Sequence, residues 1–450
     1  MTNRQHWDNY TSSVCSPQNF IDWSIRSVIG AALQRRVSIN GCPKYGHFPL
    51  FANSYTLLVG PAGVGKGVII GPATDLLKVH KQKDFLAGRN AGNEKENMIE
   101  TEVQKANLND AEESTQQMKR GEKIDPPLFP YAADAITYEA LVEAMGASFR
   151  RVNFKHIDES GVPKIDIYGH CSMYFSLPEL ASLMRKRTDD TVNYLLGLFD
   201  CPTDYEYKTK TKGQDRVKRG CLNILAGTTP EFMETIFDQQ LIDQGFSSRV
   251  FFIFGEKNRR HIGLPEPLTK DQIESRKVLQ AHTKKLAGLY GEVQISRATR
   301  DKFNNWWIQE QEQLAECSPK LLPFRARLNI HVLKVAMQEH FLERTDMELT
   351  WDEIEIAIGI VKAEMQHMHK ALTFESDNPL AKVTDKVLKF IASHGKTSQM
   401  DLMTEFWKQL PQGKKSMEEI LVQLIQVQKI KETFTEDPIT KRSMLHYNAL

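Results

Sequence analysis

The feature that most constrains this chain is a glycine-rich loop placed directly after an apolar run. The run Tyr55–Val59 has the length and composition of a buried strand, and the sequence after residue 67 is compatible with a helix. Glycines at this spacing let backbone N–H groups turn inward onto phosphate groups, and a lysine adds positive charge where the helix begins. The pattern predicts a nucleoside triphosphate site at Gly60, Pro61, Ala62, Gly63, Val64, Gly65, Lys66, Gly67 and Val68.

Two positions depart from the usual metal-binding pattern of such a site. The residue after the lysine is normally Ser or Thr, whose hydroxyl ligates Mg²⁺, and here it is Gly67. An apolar strand later in the chain ends in Glu179, and the preceding position, where an Asp would hold magnesium, is Pro178. We still expect ATP and Mg²⁺ as cofactors, with water filling the vacant metal position. The sequence supports nucleotide binding better than hydrolysis.

Composition excludes several classes of protein. The chain has 450 residues, a 41% hydrophobic content and a formal net charge of +1, so any nucleic-acid surface must be local. The six cysteines form no CxxC pair and have no histidines at zinc spacing, which indicates a reduced, cytoplasmic protein without a structural metal. No apolar run approaches the ~20 residues that span a bilayer, so we expect no membrane association.

The pattern along the chain predicts four regions. Residues 1–50 form a helical lead-in with a short amphipathic helix at residues 20–33. Residues 51–265 form the core. Within it, residues 81–127 are rich in Lys, Glu, Asn and Gln, which is typical of an exposed helical hairpin or mobile insertion. Two further regions follow: a wholly helical lid at residues 266–375, and a winged-helix domain of three helices and a hairpin at residues 376–450.

Apolar runs alternate with helix-compatible segments in the core, which predicts an α/β fold. Residues 152–155 and 165–168 alternate on either side of turn residues, as in a β-hairpin. Continuous apolar runs are typical of a parallel sheet that is covered on both faces. Such runs occur at residues 172–177, 221–226 and 250–254.

Glu179 is the candidate for the group that orients an attacking water, because it ends a buried strand where nucleotide hydrolases keep such a carboxylate. A surface glutamate that starts a helix is the alternative interpretation. Rival acidic positions are Asp158 and Glu159 in a turn, and Asp200 after another apolar run.

Two further candidates follow the later strands. Thr229 lies at the end of the apolar run 221–226, where a hydroxyl can sense a γ-phosphate, although a threonine before proline is also an ordinary helix N-cap. Arg249 lies at the entry to the last core strand, from which it can reach the nucleotide of an adjacent subunit. A surface ion pair is the alternative for Arg249.

A basic hairpin is the candidate nucleic-acid contact. Residues 205–219 alternate around Gly213, which predicts a two-stranded hairpin with its lysines on one face. Cations flanked by tyrosines suit contact with a phosphate backbone, while solvated edge lysines are the alternative. The candidate DNA-binding residues are Lys208, Lys210, Lys212, Arg216 and Lys218.

The ordered set of segments resembles the helicase-like P-loop ATPases of phages and mobile elements, within the AAA+ group of superfamily-three and minichromosome-maintenance helicases. The resemblance covers roughly residues 20–375. It lies in the glycine-rich loop and in residues 136–141, 178–183, 196–200, 226–230 and 245–249.

The resemblance implies an AAA+ type core with a helical lid, in which Lys66 binds phosphate and Glu179 activates water. Thr229 would be the first sensor, and Arg249 the arginine finger. Lys210 and Lys212 would lie on a pore hairpin. The candidates for a second sensor from the lid are Arg325, Arg327 and Lys334.

The leading functional prediction is an ATP-driven DNA helicase or translocase that assembles as a ring, with six subunits expected, around single-stranded DNA. It would serve replication of a phage or mobile element in the cytoplasm of a bacterial host, with a primase or other replication protein as a further partner. A second hypothesis is an initiator or loader whose bound ATP is an assembly switch with slow or no hydrolysis. A third is a regulator whose winged helix reads a specific DNA site. The third has less support, because Glu418 and Glu419 lie beside Lys414 and Lys415 on its recognition helix.

Overall fold

The chain forms two compact units, Met1–Leu372 and Thr373–Leu450. The computed structural model describes residues 1–40, 49–80, 128–131, 137–157, 163–184, 189–209, 213–236, 245–312, 321–373, 379–410, 412–436 and 443–449. The charged segment at residues 81–127 lies outside the described residues. The expected lead-in, core and lid all fall within the first unit, and the expected boundary at residue 376 lies close to the start of the second.

A five-stranded sheet forms the centre of the first unit. Its strand order is β4-β5-β8-β3-β9, so β8 separates the strand before the glycine-rich loop from the strand that ends at Leu177. The strands of this unit are β1 Val37–Ile39, β2 Leu50–Phe51, β3 Tyr55–Val59, β4 Phe149–Ile157, β5 Pro163–Leu177, β6 Asp204–Thr209, β7 Gly213–Lys218, β8 Gly220–Thr228, β9 Val250–Phe254 and β10 Gly291–Glu292. The short strands β10, β1 and β2 form a separate sheet, and β6 and β7 form a two-stranded sheet.

The parallel arrangement expected of the apolar runs is confirmed, and the fifth strand belongs to the predicted hairpin. Strands β5, β8, β3 and β9 are parallel, whereas β4 is antiparallel to β5. The predicted hairpin is present, but β5 continues through Gly169 and includes the run that was predicted as a separate strand. A Cβ atom at residue 169 would lie 2.6 Å from the Phe149 ring, so this glycine permits close approach of β4 without ending the strand.

Helices cover the sheet and extend from it. The helices of the first unit are α1 Asn3–Tyr10, α2 Gln18–Leu33, α3 Lys66–Lys78, α4 Tyr138–Ala147, α5 Ala181–Met184, α6 Asp189–Phe199, α7 Pro230–Ile236, α8 Lys270–Leu286, α9 Arg297–Glu312, α10 Leu322–Arg325, α11 Leu328–Glu343 and α12 Trp351–Thr373.

Helix α2 is not amphipathic in its setting, contrary to the sequence prediction. Every residue from Trp23 to Leu33 is buried. Gly30 lies so close to its neighbours that an added Cβ atom would be 2.5 Å from the Ala52 carbonyl oxygen and 3.1 Å from Gln338 Nε2. The helix is covered on several sides because the lead-in packs into the core, where Ser24 Oγ donates a hydrogen bond to the Phe20 carbonyl oxygen and Arg26 Nε donates one to Glu339 Oε1.

Helix α11, expected in a lid, packs against the edge of the core. Its Lys334 is 1% exposed, and Nζ donates hydrogen bonds to the carbonyl oxygens of Phe51 and Asn53, both at 2.9 Å, and to Asn53 Oδ1 at 2.5 Å. These acceptors precede β3, at the end of the strand opposite the glycine-rich loop. Lys334 therefore holds the β2–β3 connection, and it is too far from its own chain's loop to be a second sensor there.

A buried carboxyl group in α12 gives the fold a pH dependence. Glu364 accepts a hydrogen bond from Trp23 Nε1 at 3.0 Å, and burial raises its pKa from 4.5 to about 7, with Arg26 and Asp22 acting in opposite directions. The folded state therefore retains a proton between pH 4.5 and 7 that the unfolded chain releases. Stability from this group is present below pH 4.5 and is lost as pH rises through 7.

We expect Glu364→Gln to remove that loss. The free energy of unfolding of the variant should match the parent near pH 4.5 and exceed it by up to about 3 kcal/mol at pH 8. Urea unfolding followed by circular dichroism at both pH values measures the difference. Since both proteins share all other titrating groups, a difference that does not change with pH would contradict the assignment.

The second unit contains three helices and a hairpin, as expected, plus a short strand that the sequence did not indicate. That strand, β11, pairs with β13, and the sheet order is β11-β13-β12 with antiparallel neighbours. Apolar side chains from the three helices form the core with Ile430 and Tyr447. The elements are α13 Pro379–His394, β11 Thr397–Ser398, α14 Gln399–Phe406 followed by a 3₁₀ turn Trp407–Gln409, α15 Lys414–Gln426, β12 Ile430–Glu436 and β13 Ser443–Ala449.

Candidate nucleotide site

The glycine-rich loop and the segments that carry Glu179 and Thr229 meet at the C-terminal ends of the parallel strands. Val59 on β3 lies beside Thr228 on β8 and Phe254 on β9, and Leu177 on β5 lies beside Ala226 on β8. Because these four strands are parallel, the segments that follow them meet at one edge. The glycine loop (residues 60–65) therefore lies at the same edge as Glu179 and Thr229.

Backbone geometry explains the glycines of the loop. Gly63 and Gly65 have φ angles of +81° and +87°, in the left-handed region that favours glycine. A Cβ atom on Gly65 would also lie 2.0 Å from the carbonyl oxygen of Cys15. The lead-in thus packs directly on the glycine loop, a contact that no local signal in residues 15–16 indicates.

Lys66 is the first residue of α3, and its side chain is buried. Its Nζ donates hydrogen bonds to the carbonyl oxygens of Gly60 at 2.5 Å and Pro61 at 2.9 Å. Burial lowers the pKa of Lys66, while the carboxylates of Glu179 and Glu231 act in the opposite direction. The ammonium group therefore lies against the loop, with two negative charges close enough to affect it.

The two glutamates lie in segments that follow different strands of the sheet. Glu179 is exposed and follows β5, whereas Glu231 is in the first turn of α7, which follows β8. Sequence reasoning missed Glu231, because an acid in the first turn of a helix is usually explained by the helix dipole. Its place two residues after Thr229 was the signal that could have identified it.

The metal side of the site offers few ligands. A Cβ atom on Gly67 would lie 3.8 Å from Pro178 Cβ, so the two positions that depart from the usual pattern face each other. Neither supplies an oxygen side chain. The described part of the chain also holds no group of three or more His, Cys, Asp or Glu side chains suited to a metal ion. The residues present therefore fit the phosphates of a nucleotide but not direct protein ligation of Mg²⁺ at these two positions.

Thr229 caps α7. Its Oγ1 accepts a hydrogen bond from the Phe232 backbone N–H at 3.3 Å, which is the N-cap interpretation of this threonine. The preceding Thr228 is fully buried, and its Oγ1 has no hydrogen-bond partner among the residues that the structure describes. A phosphate-sensing role for Thr229 stays a prediction, and it would require the capping hydroxyl to exchange partners.

Arg249 lies at the opposite end of the parallel strands, where these strands begin. It precedes Val250, which pairs with Tyr55 at the start of β3, so a five-residue strand of about 15 Å separates it from its own chain's glycine loop. Its Nη2 forms an ion pair with Asp200 Oδ2 at 2.8 Å, and Arg327 Nη1 is 3.5 Å from Asp200 Oδ1. Asp200 thus pairs with two arginines, and Arg249 cannot reach the nucleotide site of its own chain.

The other lid candidate, Arg325, is also paired. Its Nη2 lies 3.7 Å from Glu310 Oε2, and Lys362 contacts the same carboxylate. Neither Arg325 nor Arg327 lies beside the glycine loop in these contacts. Their role as a second sensor stays a prediction.

The predicted basic hairpin is present as β6 and β7, with Thr209 opposite Gly213. Lys210 and Lys212 lie outside the described residues, and only the backbone of Lys208 is described. Arg216 is 3.3 Å from Asp204 and 3.7 Å from Glu206, so carboxylates partly offset its charge. Lys218 is exposed at the end of β7.

Tyrosines anchor the base of this hairpin. Tyr205 in β6 lies 2.7 Å from Tyr138, hydroxyl to hydroxyl, and its ring is 4.5 Å from that of Tyr194 in α6. Strand β8 follows β7 after one residue, so the hairpin is joined through β8 to the edge that carries Thr229.

No known family model or curated protein matches this chain. The resemblance to helicase-like ATPases therefore stays a prediction, and the functional assignment rests on geometry. None of the helices in the described ranges has the length and apolarity needed to span a bilayer.

Proposed function

We propose that this protein is an ATP-dependent DNA helicase or translocase that assembles as a ring, with an AAA+ type P-loop core and a C-terminal winged helix. The proposal depends on the position of Lys66. This lysine lies between the glycine loop, whose Gly63 and Gly65 have left-handed backbone angles, and the carboxylates of Glu179 and Glu231. That arrangement combines a phosphate cradle with a group able to orient water. We assign the activity to replication of a phage or mobile element in a bacterial cytoplasm.

The chain's own residues divide the chemistry between them. Backbone N–H groups of the glycine loop and the Lys66 ammonium would hold the phosphates, and Lys66 would exchange its bonds to Gly60 and Pro61 for them. Glu179 would orient the water that attacks the terminal phosphoryl group. Arg249 lies about 15 Å from its own loop, so it would offset the charge that develops on the terminal phosphoryl group only in the site of an adjacent subunit. In the proposed mechanism, each complete site therefore contains residues from two subunits.

The winged-helix assignment for the second unit is supported by its order of elements. Helix, short strand, two helices and a hairpin surround one apolar core. Such a unit binds either DNA or protein. A primase or another replication protein is a candidate partner for it.

Glu179→Gln separates binding from hydrolysis. We expect the variant to bind ATP as the parent does and to hydrolyse it at least about 100-fold more slowly, because the amide cannot accept the proton of the attacking water. Equilibrium binding of a fluorescent ATP analogue and single-turnover hydrolysis measure the two steps. The matched control is Glu231→Gln, which should retain most of the hydrolysis rate. Equal losses in both variants would refute a specific role for Glu179.

Activity on DNA tests the proposal directly. We expect single-stranded DNA to stimulate the ATPase and the protein to separate the strands of a forked duplex with ATP. A purified protein that hydrolyses ATP at one rate with and without DNA, and leaves the fork intact, would contradict the proposal.

A second candidate function is an initiator or loader in which bound ATP drives assembly without rapid hydrolysis. The facing positions of Gly67 and Pro178 favour it, because they remove two oxygen ligands from the metal side. Sedimentation in ATP and in a non-hydrolysable analogue distinguishes the candidates. A switch requires occupancy alone, so equal assembly in both nucleotides with negligible turnover supports the loader.

A further inference from the structure

A turn in the lead-in packs against the glycine loop. Residues 11–17 join α1 to α2, and we call them the lead-in turn. A Cβ atom on Gly65 would clash with the Cys15 carbonyl oxygen and would lie 3.1 Å from Ser16 Cα. Gly65 has a left-handed φ angle and is the N-cap of α3. The lead-in turn therefore contacts the loop at the residue that joins it to the helix.

The segment that follows β9 contacts both the glycine loop and the lead-in turn. The Gly255 backbone N–H donates to the Val59 carbonyl oxygen at 2.9 Å, and a Cβ atom on Gly60 would clash with the Gly255 carbonyl oxygen. A Cβ atom on Gly255 would itself lie 2.8 Å from Pro17 Cγ. Residues 255–259, which we call the β9 extension, thus contact the start of the loop and the end of the turn.

Arg259 joins the β9 extension to the lead-in turn at three points. Its backbone N–H donates to the Ser16 carbonyl oxygen at 3.2 Å. Its Nη1 donates to Gln18 Oε1 at 2.8 Å, and its Nη2 donates to the Thr11 carbonyl oxygen. Thr11 begins the turn, Ser16 lies near its end, and Gln18 is the first residue of α2. A single residue therefore holds the turn along its whole length.

An arginine side chain suits this contact. The planar guanidinium presents several donors in a fixed geometry, so it also fixes the separation of the two acceptors that it binds. Burial and the neighbouring Arg260 lower the pKa of Arg259, whereas Asp8 in α1 and Asp22 in α2 raise it. An arginine stays protonated in proteins, so both side-chain bonds are charge-assisted.

We propose that Arg259 is a positioning residue for nucleotide binding. It holds the lead-in turn against Gly65, so the glycine loop has its binding conformation before ATP binds and loses less conformational freedom on binding. Arg259 acts through the turn and has no contact with the phosphates in this account. The inference rests on the proposed ATP site and adds to it a residue far from the glycine loop in sequence.

Arg259→Ala should separate affinity from rate. We expect the full-length variant to bind ATP about tenfold more weakly, because it loses two charge-assisted bonds that hold the turn. Its ATPase rate at saturating ATP should stay within about twofold of the parent, since Arg259 does not contact the reacting groups. Equilibrium binding of a fluorescent ATP analogue and a steady-state ATPase assay measure the two quantities. A general loss of folding would lower both.

Arg260→Ala is the matched control, because it removes an exposed cation at the next position. It should bind ATP as tightly as the parent. Arg259→Lys keeps the charge without the planar donors and should recover part of the lost affinity. In a double-mutant cycle with Gln18→Ala, the two losses of affinity should not add, because both variants remove the same hydrogen bond.

Chemical labelling of Cys15 tests the turn without any nucleotide. Cys15 is a free, partly exposed thiol within the turn. We expect a maleimide to modify it about tenfold faster in Arg259→Ala than in the parent, because the turn opens more often. Mass spectrometry of the peptide that contains Cys15 distinguishes this reaction from labelling of the other cysteines.

Two results would overturn the inference while leaving the proposed function intact. One is a parent that binds ATP together with an Arg259→Ala variant that binds it as tightly as the Arg260→Ala control. The other is a rate of Cys15 labelling that is the same in Arg259→Ala and the parent. If the parent itself does not bind ATP, the proposed function and the inference fail together.

Discussion

Lys66→Ala should abolish measurable ATP turnover and weaken ATP binding at least about 100-fold. The ammonium is the one cation at the start of α3 that is held against the glycine loop, and its charge-assisted bonds to phosphate contribute about 3 kcal/mol in such a setting. Isothermal titration with ATP and a phosphate-release assay measure the two effects.

Lys78→Ala is the matched control for this prediction. Lys78 is an exposed lysine at the other end of the same helix, with its Nζ 4.9 Å from the centre of the Tyr131 ring. The control should bind ATP like the parent. An alanine at position 66 that binds ATP within threefold of the parent would show that the glycine loop does not hold the nucleotide through this lysine.

Arg249→Ala should lower the ATPase rate by about 1,000-fold or more while leaving ATP binding intact, if Arg249 completes the site of a neighbouring subunit. The arginine is held by Asp200 in its own chain, at the edge of the sheet away from its own nucleotide site. Its replacement therefore cannot act on that site directly. A steady-state ATPase assay at saturating ATP gives the rate.

Mixing two inactive variants distinguishes a role between subunits from a role in folding. The Lys66→Ala subunit keeps Arg249, and the Arg249→Ala subunit keeps Lys66, so a mixed assembly contains some complete sites. ATPase activity should reappear in the mixture. Arg327→Ala is the comparison for thermal stability, because it removes the other arginine that pairs with Asp200. If both arginine variants lose thermal stability equally and the mixture stays inactive, Arg249 has a structural role only.

The glycine loop was predictable because its chemistry is local. Strand, glycines and lysine are contiguous in sequence, and the left-handed angles at Gly63 and Gly65 follow from the residue type. The ends of the parallel strands were also predictable in part, because an apolar run that ends in Glu179 or Thr229 marks the edge at which such strands meet.

Features that depend on distant segments were not predictable. Helix α2 has the composition of an amphipathic helix and is buried because α11 and the start of β3 surround it. Gly169 has the sequence character of a strand end, yet the Phe149 ring fills the space that a side chain would take. The ion pair of Arg249 with Asp200 joins residues 49 positions apart in sequence, and no local signal specifies it.

The contact of Gly65 with the Cys15 carbonyl oxygen has a practical consequence for shortened forms of the protein. Cys15 and Ser16 pack against the glycine loop, although they lie far from it in sequence. A recombinant fragment that begins at β3 would keep every residue of the glycine loop. It would lose the Cys15 carbonyl oxygen that packs against Gly65. Failure of such a fragment to bind ATP would report damage from truncation and would carry no information about the intact protein.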